Sequence, residues 1–165
     1  MGNTHVRRIL GIDPGLRTAG YGCVTFEASE IHPVLVEAGA MKLDTTKPIA
    51  YRLHQLWKDI SAIISDLSPD LVVVESVFSH AKHVSAAITL GHARGVILLA
   101  AEQANLPLIE LAPAEIKKAV SGNGQASKSQ VQQSIATILQ LTNPPDPPDV
   151  ADALAIAFTG AIRAY

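Results

Sequence analysis

The sequence points to an α/β layer fold, and three observations carry that reading. The chain is 48% hydrophobic but only 4% aromatic, so its core is built from Ile, Leu, Val and Ala. Strand-like runs alternate with amphipathic helical stretches, and the first three runs are joined by short turns. Such a pattern fits a sheet covered by helices, with an antiparallel start. A length of 165 residues is enough for one hydrophobic core, so residues 1–165 are expected to form a single domain.

Taken in order, Arg7 to Asp13 (RRILGID) reads as a strand ending at Asp-Pro-Gly, where proline presets φ and glycine permits a turn. Thr18 to Phe26 returns as its hairpin partner, and Val34 to Leu43 supplies a third strand. From Ile49, the residues Leu53, Leu56, Trp57, Ile60, Ile64 and Leu67 recur on one helical face, with Trp57 expected in the core. Ser68-Pro69-Asp70 stops that helix. Leu71 to Val74 is a continuous β-branched run suited to a strand buried on both faces, and Glu75 stands at its end.

Residues Val84 to Asn105 predict a helix with hardly any polar face, which a small domain has little bulk to cover; dimerisation would supply the missing cover. Gly91 and Gly95, four apart, would let another backbone approach, either within the monomer or across a dimer. Leu108 to Leu111 is a last short strand, and Pro113 opens a helix that ends at Ser121-Gly122-Asn123-Gly124. Ser127 caps a helix to about Leu141. Asn143 to Pro148 (NPPDPP) is a non-helical connector, and a final apolar helix starts at Asp149.

Charge and cysteine content narrow the function classes. Thirteen Lys and Arg against fifteen Asp and Glu give a net charge of −2, which argues against a protein that coats nucleic acid through bulk positive charge. Bases nevertheless gather between Lys42 and Arg94 and again from Lys117 to Lys128. A lone Cys23 makes no internal disulfide and favours a reducing, cytoplasmic setting, where it serves as a small buried hydrophobe. No run approaches the ~18 uncharged apolar residues of a membrane span, so no membrane association is expected.

Four acids stand out by position. Asp13 and Glu75 end two strands that can be neighbours, and Asp149 and Asp152 are three apart at a helix start and project from nearly one face. Each has an ordinary alternative. Asp13 can stabilise its turn, Glu75 can simply reach solvent, and Asp149 and Asp152 can cap the helix or oppose its dipole. Brought together, the four carboxylates would repel one another unless cations lay between them. All-oxygen ligands suit Mg²⁺, with Mn²⁺ as a substitute, better than zinc. Two such ions about 4 Å apart support in-line phosphodiester hydrolysis by water.

Gly11-Ile12-Asp13-Pro14-Gly15, Glu75-Ser76-Val77-Phe78 and Asp149-Val150-Ala151-Asp152-Ala153-Leu154 together resemble the motifs of the RuvC family of Holliday junction resolvases. Leu90-Gly91-His92-Ala93-Arg94-Gly95 and Lys128-Ser129-Gln130-Val131 match in order and spacing, so the resemblance covers nearly the whole chain. It implies a ribonuclease H-like fold with a five-stranded mixed sheet flanked by helices. It also implies a homodimer, two Mg²⁺ ions per active site, and paired symmetric nicks in four-way junction DNA. By position, Asp13, Glu75, Asp149 and Asp152 would hold metal, while Lys117 and Lys128 would contact or stabilise the scissile phosphate. Phe78 would stack near the strand exchange point, and a RuvA and RuvB type of branch-migration complex would be the partner. The His80 to His83 loop and the proline-rich connector depart from the family pattern.

Further candidates for DNA contact are Lys82, Arg94 and Lys118. Exposed isolated bases are, however, often only solvated. His80, His83 and His92 complete no zinc set. Three competing functions remain: a related nuclease acting on RNA, a nucleotide-binding module like those of actin and the Hsp70 chaperones, and a DNA-binding protein without catalysis. The nucleotide-binding module needs a second phosphate loop and a second domain, and the non-catalytic protein leaves four acids near DNA without a purpose.

Overall fold

The computed structural model describes residues 7–27, 32–76 and 84–164. Strands β1 (Arg7–Asp13), β2 (Thr18–Phe26) and β3 (Val34–Lys42) form an antiparallel meander. Helix α1 (Ile49–Leu67) then carries the chain back to β4 (Leu71–Glu75), which lies parallel to β1. Helix α2 (Val84–Gln103) precedes β5 (Leu108–Leu111), parallel to β4. Helices α3 (Pro113–Ser121), α4 (Lys128–Ile138) and α5 (Pro148–Arg163) complete the described chain. The sheet order is β3-β2-β1-β4-β5, a five-stranded mixed sheet as expected.

Pleat parity divides the core. Leu10, Ile12, Val72 and Val74 face α1 and α2, packing with Leu56, Ile60, Ala93 and Ile97. Ile9 and Val73 face the other way, toward α3, α4 and α5. Because side chains alternate along a strand, Asp13 and Glu75 share the parity of Ile9 and Val73 and so belong to the α5 face. Cys23 is buried on the opposite face, where desolvation pushes its thiol up to about 12.

Several boundaries differ from the sequence expectation. Helix α5 begins at Pro148 rather than Asp149, since proline at the first helical position gives up an N–H that had no partner anyway. The connector therefore ends one proline early, and its Asp146–Pro147 peptide is cis. Helix α4 stops at Ile138, short of Leu141, and Gln140 beyond it adopts a left-handed conformation. The α2 helix ends at Gln103, with Asn105 in a positive-φ turn. Trp57 is only half-buried; its indole N–H donates to Gln103 at 2.8 Å, tying α1 to α2.

By length and composition, α2 is the one described helix that could cross a bilayer. Its inner side, however, buries Ala93, Ile97, Ala100 and Ala101 against the sheet layer, and mid-helix Arg94 pairs with Glu110 of β5. The outer side exposes Val84, Ile88 and Leu99, and among the described residues nothing stands close above Gly91 and Gly95.

Candidate active site

The site is built by strand pairing on one side and glycine on the other. Ile12 pairs with Val74 in the parallel β1–β4 ladder, so the next residues on each strand, Asp13 and Glu75, end side by side. Beyond Glu75, the Ser76 N–H and hydroxyl both donate to the Leu111 carbonyl oxygen, at 2.8 and 3.1 Å, which pins that strand end to β5. Helix α5 crosses the same face at backbone distance. A methyl group on Gly20 would collide with the Asp149 carbonyl, and one on Gly11 with the backbone of Ala153 and Ala157. Two glycines in strand interiors thus form the floor on which the acidic first turn of α5 sits above Asp13.

The third wall is α4. Ser127 and Gln130 form a reciprocal capping box, the Ser127 hydroxyl accepting from Gln130 N–H at 3.2 Å and the Gln130 side chain accepting from Ser127 N–H at 2.8 Å. This fixes Lys128 as the first residue of the helix, and its ammonium donates to Asp152 Oδ2 at 3.2 Å. Helix α3 brings Lys117 to the opposite side. Asp13, Glu75, Asp152, Lys117 and Lys128 line one cavity of 260 Å³, walled by Pro113, Ile116, Val131, Ala155 and Ile156.

Electrostatics follow from this crowding. Burial, with Asp152, Glu75 and Asp149 repelling in turn, pushes the Asp13 carboxyl up to about 8, against a smaller opposing pull from Lys128. Burial and then Asp152 raise Glu75, and Lys117 and Lys128 moderate the shift. Lys128 is itself raised, chiefly by Asp152. Carboxylates crowded at a partly buried edge repel one another, and a cation between them would offset that repulsion. Among the described residues, no three Asp, Glu, His or Cys side chains are gathered tightly enough to grip one ion as they stand. The fit to a divalent cation is therefore one of donor chemistry and charge: hard oxygens around a shared cavity, with one ammonium already drawn to Asp152.

The predicted residues separate into groups. Asp13, Glu75, Asp152, Lys117 and Lys128 come together. Asp149 stands one step back, acting on Asp13 and Lys128 through its charge without lining the cavity. The start of α5 at Pro148 has no side-chain cap, because the capping position is Pro147, so capping does not account for either acid. Lys118 is exposed beside the cavity rather than in it. Arg94 is half-buried and ion-paired to Glu110, which corrects its reading as an exposed base. His92 is exposed on α2. Phe78, Lys82, His80 and His83 lie outside the described residues. Sequence reasoning missed Gly11 and Gly20; the signal was glycine inside otherwise apolar strands.

Residues 9–160 match the family described as crossover junction endodeoxyribonuclease RuvC. A protein of that name from Brevibacillus brevis is 43% identical over 159 residues, covering 96% of this chain and 94% of its own. Another from Chloroflexus aurantiacus is 44% identical over 157 residues, covering 95% and 94%. Among solved structures, Thermus thermophilus RuvC superposes with a TM-score of 0.86 at 32% identity, covering 95% of each chain. The same protein in complex with Holliday junction substrate gives 0.88 at 31% identity, covering 96% of this chain and 94% of that one. The yeast mitochondrial resolvase Ydc2, at 16% identity and a TM-score of 0.65 over 95% of this chain and 79% of its own, shares the fold.

Proposed function

The chain belongs to the RuvC family of crossover junction endodeoxyribonucleases, and from that premise we propose that it resolves four-way DNA junctions by paired nicks made at the Asp13–Glu75–Asp152 cavity. It is a nuclease of the ribonuclease H-like fold and depends on a divalent metal. The observation that carries the assignment is geometric: Asp13 and Glu75 end side by side on two parallel strands and share one cavity with Asp152, Lys117 and Lys128. Residues 1–165 are read as one nuclease domain, supported by a family match across 9–160 and a single sheet bearing both cores.

Asp13, Glu75 and Asp152 would hold the metal, with Asp149 adding charge behind them; Mg²⁺, two ions per site, is the reading favoured by the oxygen donors. Bound there, divalent ions would supply activation of water and charge stabilisation at the leaving oxygen. The chain's own part is to orient and to neutralise. Lys128, tethered to Asp152 at 3.2 Å, is placed to release that carboxylate to a cation and turn its ammonium to the scissile phosphate. Lys117 offers a second positive charge at the cavity.

Two opposed nicks require two sites. The exposed strip of Val84, Ile88 and Leu99 on α2, with nothing among the described residues close above Gly91 and Gly95, is read as the surface by which two copies associate. A branch-migration complex of the RuvA and RuvB type as partner, and a cytoplasmic setting, are part of the same proposal, with family membership as their support.

The test is a synthetic four-way junction incubated with and without Mg²⁺, with both opposed strands read. Paired nicks only with metal are expected, with duplex DNA and structured RNA cut far less. Asp13→Asn should retain junction binding and lose cleavage by at least about a hundredfold; persistent nicking would sink the site assignment.

A further inference from the structure

A nucleic-acid backbone brought to four carboxylates is repelled by them, so the attraction that holds it must come from cations set to either side. The described bases sort by place and partner. Arg94, Lys128 and Arg163 are ion-paired to Glu110, Asp152 and Glu115. Arg7 and Arg8 lie at the far end of β1 from Asp13. At the catalytic edge, Arg17, Lys42 and Lys47 are exposed and take part in no ion pair among the described residues.

These three are carried by segments tied to one another. Arg17 lies in the turn that follows Asp13, and its carbonyl accepts from Leu43 N–H at 2.9 Å. Lys42 ends β3 opposite Thr18 and shares the pleat parity of Ala38 and Ala40, which pack on the α5 side, the face of the acids. Lys47 closes the link to α1, its ammonium 6.0 Å from the Tyr51 ring centre. Arg52 donates to the Leu16 carbonyl at 2.9 Å, and Gln55 donates to the Lys42 carbonyl at 3.2 Å while accepting from Asp44 N–H at 3.3 Å. The turn, the strand end and the helix start are thereby fixed as one shelf. Asp44, the acid within it, is engaged by the Thr46 N–H and hydroxyl at 3.0 and 2.6 Å.

We propose that Arg17, Lys42 and Lys47 form a phosphate-binding shelf that holds the DNA backbone on the β3 side of the cleavage site, opposite Lys117 and Lys118 beyond β5. The proposal rests on the nuclease reading and extends it from the reacting phosphate to its neighbours. Strand β3 lies two strand spacings, roughly 10 Å, from β1. Lys42 therefore meets a phosphate outside the scissile one, and its contribution is to position the strand rather than to act on the bond. Such contacts are indifferent to base sequence.

The experiment reads binding of the full chain to a labelled four-way junction in EDTA, across about 50 to 200 mM salt. The variant Arg17→Gln/Lys42→Gln/Lys47→Gln should lower the slope of log K against log salt by roughly two to three, at about 0.9 per lost phosphate contact. Its junction Kd should rise on the order of tenfold or more, equally for junctions of different sequence. Lys47→Gln alone, on an exposed side chain, should remove about one-third of the slope change, and guards against a fold defect in the triple variant. Arg7→Gln, at the opposite end of β1, should change neither quantity. A triple variant with wild-type slope and Kd, from a chain that binds and cuts the junction, overturns the shelf alone. A wild-type chain that binds in this salt-dependent way but makes no cut when Mg²⁺ is added overturns the nuclease reading and leaves the shelf standing. A wild-type chain that does not bind junctions overturns both.

Discussion

Helices α5 and α2 are both apolar almost all round, yet α5 is buried from Val150 to Ala161 apart from Asp152, while α2 exposes Val84, Ile88 and Leu99. The difference lies in what each helix rests on. Under α5 the strands present Gly11, Gly20 and Gly22, so the helix backbone settles directly on the sheet and α3 and α4 close over its flanks. Under α2 the sheet presents full side chains, Val72 and Val74 among them, and α1 covers only one side. Apolar composition therefore says that a helix needs cover; the floor beneath it says whether the monomer supplies that cover. The two helices differ in what they present as well, since α5 brings Asp152 to the cavity with Asp149 behind it, whereas α2 leaves an apolar strip exposed.

The sharpest way to break this comparison is to raise the floor under α5. Gly20→Ala would drive a methyl into the Asp149 carbonyl, so a loss of about 3 kcal/mol or more in urea unfolding is expected, together with loss of cleavage. Gly95→Ala in α2, with open space above it, should instead leave a folded monomer slightly more stable, by about 0.5–1 kcal/mol. Equal effects at the two glycines would erase the distinction.

The surface role of α2 is tested by Ile88→Glu with Leu99→Glu, both on exposed positions. Dimer dissociation measured by sedimentation should strengthen on the order of a hundredfold while circular dichroism stays that of the folded chain. An unfolded variant would instead mean that the strip belongs to the core, and an unaltered dimer would move the interface elsewhere.

A smaller effect concerns pH. Asp13 ordinarily titrates at 3.8 but holds its proton to about 8 in the folded chain. The folded state thus binds more protons than the unfolded one across that window, and its stability falls as pH rises from 3.8 to about 8. Asp13→Asn should remove this part of the slope and leave the metal-free variant more stable than wild type at pH 8 by on the order of 1 kcal/mol. Saturating Mg²⁺ should flatten the wild-type curve, and identical metal-free curves for both chains would count against a shared carboxylate site.

Much of the site is legible in the sequence alone. Asp13 stands out at a strand end before Pro-Gly, Glu75 because an acid directly after a buried β-branched strand is costly without a partner, and Ser127 reads as a helix cap. Arg94 misled, since its partner Glu110 is sixteen residues away on another element and no local pattern joins them. Pro148 misled in a different way: a proline reads as a break, but at the first position of a helix it is a start.

The sequence by itself determined the order of strands and helices, the apolar faces and the four acids, because these depend on periodicities of two and 3.6 residues and on turn chemistry within a few neighbours. Only the tertiary structure decided that β1 lies beside β4, that α5 sits on glycine at backbone distance, and that Lys128 reaches Asp152. Those are contacts between residues far apart in the chain, selected by how whole layers pack, and no local propensity encodes them.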